Sequence, residues 1–478
     1  MRRSTHFLSC TIVVVSMLAG QIVSAQFYFG ADLSYVNEME DCGVTYYENG
    51  QPKDPYTIFR DHNCGLVRLR LWHTPSWYDN LNDGIRYSDL ADVKRSIARA
   101  KAHDMAVLLD FHLSDNWADP GKQVVPAAWA PVVDDLPVLQ DSLYNYIRGT
   151  LHTLDNEGLL PEMVQIGNET NRGILLSQEV NDAGWVLDWD RNSALFNSAI
   201  DAVHDFEDQA GKEVQIVIHA ADPDNRWIFD QFIDNGVTDF DIMGLSYYWA
   251  WHQPTTIEET GDVVAALRSD YPDYDVMIVE TGYIWTWASN DNANNIINSV
   301  HPDYSPPSPG AQKAWLIDLT QEVIDNGALG VIYWEPAWVS SDCWTQWGQG
   351  SHQEHATFFD FDNNLLNDGG VGWMTHQYDN LTHRIELSDQ VIVIEAWPDS
   401  NFRRLHIMLQ GITLPTQLNF ELVSANGTAV ASLQCDPCNN GMLYLPLPDM
   451  PAGIYYLAAR AGTRPAPVHV QGIWIGNQ

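Results

Sequence analysis

The chain has 478 residues, 63 of them acidic and 24 basic, for a formal net charge of −39. That length exceeds one ordinary core and predicts a barrel of about 250 residues or more followed by a smaller domain. The acidic excess repels nucleic acid, anionic lipid and polyuronates, so the expected partner is neutral, and the 19 Trp and 20 Tyr offer faces that stack on sugar rings.

In chain order, Arg2-Arg3, the apolar run 11–20 and Val23-Ser24-Ala25 read as a secretory leader, residues 1–25, cleaved before Gln26. No Cys follows the cleavage point, and no later apolar run is long enough to span a bilayer, so a secreted or cell-surface location is expected. Cys10 leaves with the leader, and five cysteines remain, an odd number. The expected bridges are Cys42–Cys64 and Cys435–Cys438.

Eight strand-like runs follow: 28–33, 66–71, 106–112, 163–167, 214–219, 241–246, 276–280 and 330–334. Each is separated from the next by a segment long enough for a helix, and 87–104 and 136–157 show apolar residues at helical spacing. The pattern predicts an α/β fold, a (β/α)8 TIM barrel, as a catalytic domain over 26–384. Short alternating runs over 385–478, divided by turns such as Asn426-Gly427 and Pro451-Ala452-Gly453, predict a small all-β sandwich domain.

Polar and aromatic residues gather where these strands end, which in a barrel is one rim. The rim collects Asp32, Arg70, Trp72, His112, Asn168, His219, Tyr247, Trp249, Trp334 and Trp338. Two apolar runs close on a carboxyl at this level, Val164 to Glu169 and Val276 to Glu280. Paired carboxyls on a barrel rim are the arrangement glycoside hydrolysis requires, one protonated and one ionised. Arg70 and Tyr247 are expected to converge on Glu280 and keep it anionic, which leaves Glu169 the proton. Asn168 is placed to bond a sugar 2-hydroxyl, and His112 and His219 to orient the pocket. Trp334 is expected as the floor at the cleavage point, with Trp72, Trp249 and Trp338 at neighbouring subsites.

The stretches Phe29-Gly30-Ala31-Asp32-Leu33-Ser34, Val67-Arg68-Leu69-Arg70-Leu71-Trp72, Asp110 to Pro120, Gln165-Ile166-Gly167-Asn168-Glu169 and Gly330 to Pro336 resemble those of the secreted endo-β-1,4-galactanases, glycoside hydrolase family 53, over residues 27–380. The resemblance implies a retaining hydrolase of galactan and arabinogalactan, the side chains of pectin, with Glu169 as acid/base and Glu280 as nucleophile. It also implies a plant cell-wall polysaccharide as partner and no required cofactor, and a monomer is expected. Some bacterial members hold a calcium ion between the loops after strands seven and eight. Here that segment offers Asp291, Asn292 and Asn294, rich in oxygen but short of carboxylates, so calcium stays open as an alternative. The C-terminal domain resembles the sandwich modules appended to exported bacterial enzymes, which leaves sorting, binding and stabilising roles open. The rival readings are another retaining barrel endo-glycanase, such as a xylanase, mannanase or cellulase, and a sugar-binding barrel without catalysis.

Overall fold

The computed structural model describes residues 24–25, 27–184 and 187–379, and then 383–387, 390–399, 404–410, 416–424, 429–438, 441–448, 453–461 and 469–475. The expected leader lies outside these except for Ser24–Ala25. Two compact units divide the chain, one over Phe27–Leu381 and one containing Thr382–Gln478.

The first unit is a closed barrel of eight parallel strands in sequential order. They are β1 (Tyr28–Asp32), β2 (Leu66–Leu71), β3 (Ala106–Phe111), β4 (Met163–Ile166), β5 (Gln215–Ala221), β6 (Ile242–Tyr247), β7 (Asp275–Thr281) and β8 (Gly330–Tyr333). Strands buried on both faces read as near-continuous apolar runs, and every residue of β2, β4, β6 and β8 is buried. The ring closes where β8 pairs with β1, Gly330 opposite Tyr28. A Cβ at Gly330 would stand 2.7 Å from the Tyr28 carbonyl oxygen, so only glycine lets the seam close.

The crossover helices follow their sequence signals. Leu136–Asn156 starts on an Asp135 side-chain cap with Pro137 in its first turn. It turns Leu139, Leu143, Ile147, Leu151 and Leu154 inward, the spacing of one helical face. Ile257–Asp270 opens with a reciprocal capping box between Thr256 and Glu259. Among the described residues no helix is long and apolar enough to cross a membrane.

The second unit has two antiparallel sheets. One orders Ser24–Ala25, His383–Leu387, Gln390–Asp399, Arg404–Gln410 and Gly441–Pro446; the other orders Ala429–Cys438, Thr416–Ser424, Gly453–Ala461 and His469–Ile475. Alternate residues are buried, as in Leu405 and Ile407, or Leu418, Phe420 and Leu422. His383 and Arg384, expected to end the barrel domain, instead open the first long strand of this unit. Strand Ala429–Cys438 contains Pro437 and lies at a sheet edge, where a missing N–H is tolerated.

The Cys42–Cys64 pairing is corrected. Cys42 is bonded to Cys343, 301 residues away, across a Cα–Cα distance of 5.6 Å, while Cys64 is free and buried at the entry to β2. Local spacing carries no signal for a bond between the helix after β1 and the loop after β8. The Cys435 and Cys438 side chains lie outside the described residues.

Candidate active site

Asn168 and Glu169 follow β4 through a sharp backbone reversal. Gly167 has φ +77° and Glu169 itself φ +46°, a conformation that non-glycine residues seldom adopt and that projects the carboxyl from the strand end. Glu280 sits within β7, one residue from its end. Both carboxyls line a cleft of about 430 Å³, together with Asn168, Trp334, Trp338, Trp117, Tyr248, Trp251, Trp347 and His352.

Arg68 on β2 organises the floor beneath them. Its Nη1 donates to Asp32 Oδ2 at 3.0 Å and lies 2.8 Å from Glu280 Oε1 as an ion pair; its Nη2 donates to Asp110 Oδ2 at 3.0 Å and Asn168 Oδ1 at 2.7 Å; its Nε donates to Gln165 Oε1 at 3.2 Å. Four hydrogen bonds and the ion pair to Glu280 thus hold the guanidinium in a wholly buried site, where an unspent donor would be costly. The Tyr248 hydroxyl donates to Glu280 Oε2 at 3.2 Å.

The contacts expected of Arg70 and Tyr247 therefore belong to Arg68 and Tyr248. Arg70 pairs with Glu335 at 3.1 Å, donates to Ser88, and lies against the rings of Tyr35, Trp72 and Trp117. Tyr247 faces the outer layer, its hydroxyl donating to the Thr255 carbonyl. Side chains alternate across a strand, so Ser246 and Tyr248 point inward and Tyr247 outward. Arg68 and Arg70 share the inward parity, and depth separates them.

Among the described residues no cation is paired with Glu169. The Ser246 hydroxyl donates to its Oε1 at 2.7 Å, and Ser246 in turn meets His219 Nε2 at 2.8 Å. The Glu169 backbone N–H donates to His219 Nδ1, so these partners fix His219 as the neutral Nε2–H tautomer. Burial, then Arg68 and His112, hold the His219 pKa well below its ordinary value, consistent with that state. His112 bonds Asp110 through Nδ1 at 2.7 Å, and burial lowers its pKa as well. Asp32 is spent on Arg68 and Ser34. His112, His219 and Asp32 thus stand behind the cleft and hold those that line it.

Burial raises the pKa of both glutamates. For Glu169 the neighbouring Glu280 charge adds to the rise and Ser246 opposes it. For Glu280 the next largest influence is Arg68, which favours the anion, with Tyr248 acting the same way. The proton shared by the pair therefore rests on Glu169.

Of the expected tryptophans, Trp334 and Trp338 line the cleft. Trp72 is 0% exposed behind Trp117, and Trp249 packs on His301, so neither faces the cleft. Trp117, Trp251 and Trp347 take their places, with Trp251 and Trp347 45% and 41% exposed. These lie on loops without periodicity; Trp117 falls in the resembling stretch Asp110 to Pro120, and for Trp251 and Trp347 residue type was the only sequence signal. The cleft rings are set at angles, 69° between Trp117 and Trp334 and 87° between Trp334 and Trp338.

In the segment considered for calcium, the named residues are tied into the protein by hydrogen bonds. Asp291 Oδ1 and Oδ2 accept the backbone N–H groups of Ala293 and Ser351, Asn292 donates to Gln349, and the Asn294 carbonyl meets His352. Glu354 ties the same loops by accepting from Ser289, Asn290 and Ser340. Among the described residues no three His, Cys, Asp or Glu side chains cluster as a metal site.

A closed (β/α)8 barrel whose rim carries an acidic, indole-lined cleft has the build of a glycoside hydrolase. Residues 28–368 match glycosyl hydrolase family 53. The chain is 46% identical over 358 residues to an arabinogalactan endo-β-1,4-galactanase of Cellvibrio japonicus, covering 74% of this chain and 92% of that protein. It is 32% identical to an endo-β-1,4-galactanase of Bacillus subtilis, covering 71% and 79%. The solved family 53 catalytic domain from Ignisphaera aggregans superposes with a TM-score of 0.65 at 31% identity, covering 77% of this chain and all of that one. The chain belongs to glycosyl hydrolase family 53.

Proposed function

We propose that this hydrolase is exported and cleaves internal β-1,4-galactosidic bonds of galactan and arabinogalactan, the side chains of pectin, with retention at the anomeric carbon. Glu280 is the nucleophile and Glu169 the acid/base. The observation that carries the assignment is the asymmetry of the pair: Glu280 meets a cation at 2.8 Å and a phenol, whereas Glu169 meets only a hydroxyl. In the first half-reaction Glu280 attacks the anomeric carbon as Glu169 protonates the departing glycosidic oxygen, leaving a glycosyl ester on Glu280. In the second, Glu169, now ionised, takes a proton from water, which attacks the same carbon and frees Glu280. One amide hydrogen of Asn168 goes to the Ala118 carbonyl, and its second is available to a sugar hydroxyl.

The substrate follows from the named relatives and from the ring geometry. A β-1,4-galactan bends at each axial 4-oxygen, and indoles at 69° and 87° suit a curved chain better than a flat ribbon. The net charge of −39 suits a neutral glycan. Export is supported by the apolar leader and the Cys42–Cys343 bond, which fits an oxidising compartment. The test is digestion of galactan, xylan, mannan and cellulose with sizing of products and NMR of the first anomeric protons released. Short galacto-oligosaccharides appearing first as the β-anomer are expected. Cleavage of a flat glycan with galactan untouched overturns the substrate, and initial α-anomer overturns the roles.

A further inference from the structure

Glu38 is a fully buried carboxyl group on Val36–Asp41 that does not line the cleft. Its Oε2 accepts from the Tyr78 hydroxyl at 2.7 Å and its Oε1 from Asn82 Nδ2 at 3.2 Å. Asn82 is thereby fixed in a left-handed conformation, φ +45°, that asparagine tolerates. The rest of its amide is turned on the loop after β8. Nδ2 donates to the Trp344 carbonyl at 2.7 Å, and Oδ1 accepts the Trp344 N–H at 2.9 Å.

Trp344 begins a hairpin in which Trp344–Thr345 pairs with Gly348–Gln349, and the two-residue turn between them presents Trp347 to the cleft. A hairpin of two residue pairs has little stability of its own, so its position comes from outside. It is anchored by the Cys42–Cys343 bond just before it, the edge of Trp77 against Trp347 at 5.4 Å, the Asn292 amide on the Gln349 side chain, and the double hydrogen bond from Asn82. Only the last fixes both polar backbone groups of one hairpin residue.

We propose that Asn82, held by Glu38, is a positioning residue that sets the Trp347 indole as a platform for sugar units remote from the cleavage point, and so governs how long a chain the enzyme prefers. This rests on the polysaccharide-cleaving reading above. The hydrogen bonds of Asn82 run to Glu38 and Trp344 and not to Glu169 or Glu280, so its influence is on the binding of long chains, not on bond cleavage.

The test is a chain-length series, trisaccharide to hexasaccharide, of the glycan the wild type cleaves, galactan on the reading above. Asn82→Gly keeps the left-handed backbone free of strain while removing the amide. It should raise KM for the hexasaccharide roughly fivefold to tenfold, the scale of one aromatic stacking contact, with kcat held within about twofold. Trisaccharide kcat/KM should stay within about twofold. Asn82→Asp, which keeps the volume but sets a carboxylate against Glu38 and the Trp344 carbonyl, should act in the same sense. Trp347→Ala should reproduce the hexasaccharide loss, and adding Asn82→Gly to it should change KM by no more than about twofold, because both act through one platform. Equal losses at every chain length, or losses that multiply in the double variant, overturn the proposal. Cleavage of another glycan in place of galactan overturns the substrate alone, since the series then runs on that glycan. A crystal structure of Asn82→Gly gives a readout free of substrate: the hairpin is expected displaced, and a hairpin unmoved from its wild-type position overturns the proposal.

Discussion

The division of labour between Glu169 and Glu280 depends on a few atoms that can be removed singly. Glu280→Gln takes away the nucleophile without changing shape, and turnover should fall by on the order of 10⁴-fold or more while oligosaccharide binding by calorimetry persists. The pH profile tests the assignment from the other side. Activity needs Glu280 ionised and Glu169 protonated, so kcat/KM should follow a bell whose two limbs both lie above the ordinary glutamate value, as burial raises both groups. The Tyr248 hydroxyl favours the Glu280 anion, so Tyr248→Phe should move the acid limb to higher pH. The Ser246 hydroxyl lowers the Glu169 pKa, so Ser246→Ala should move the alkaline limb upward instead. Exchanged responses would exchange the roles. The two glutamates were legible in the sequence because an apolar strand ending in a carboxyl is conspicuous. Arg68 was not, since both arginines of β2 obey the same alternation and only the closed barrel shows which is deep enough to reach Glu280.

At the scale of elements, all eight strands could be read from sequence because burial on both faces makes them near-continuous apolar runs, interrupted in β2 by Arg68 and Arg70. The loops could not, for their aromatics follow no period: Trp251 and Trp347 reach the cleft while Trp249, two residues from Trp251, packs away from it. The seam of the barrel offers an element-scale test. Gly330→Ala forces a methyl to 2.7 Å from the Tyr28 carbonyl oxygen, where the β1 and β8 backbones must part. The expected cost is about 1–3 kcal/mol, read as a lowered midpoint in urea, with the pH limbs of the surviving activity unchanged.

For the whole molecule, the barrel unit Phe27–Leu381 carries every residue named in the cleft. A chain ending at Leu381 should therefore fold and cleave soluble galactan with kcat/KM within about twofold of the full protein. Loss on soluble substrate would make Thr382–Gln478 part of the catalytic machinery, and loss on insoluble wall material alone would give it a binding role. The change in periodicity is what the sequence offers for dividing the chain, and the strand His383–Leu387 runs across the border expected at 384.

The bond between Cys42 and Cys343 bears on durability. It joins the helix after the first barrel strand to the loop after the last, so residues 42–343 form a covalent ring that holds nearly the whole barrel. A single peptide cut anywhere within that ring linearises it without releasing a fragment. A barrel nicked once within the ring would thus persist as one molecule. Limited proteolysis within 43–342 should leave one band on a non-reducing gel and two on a reducing gel, with activity following the first; fragments separating without reductant would contradict it.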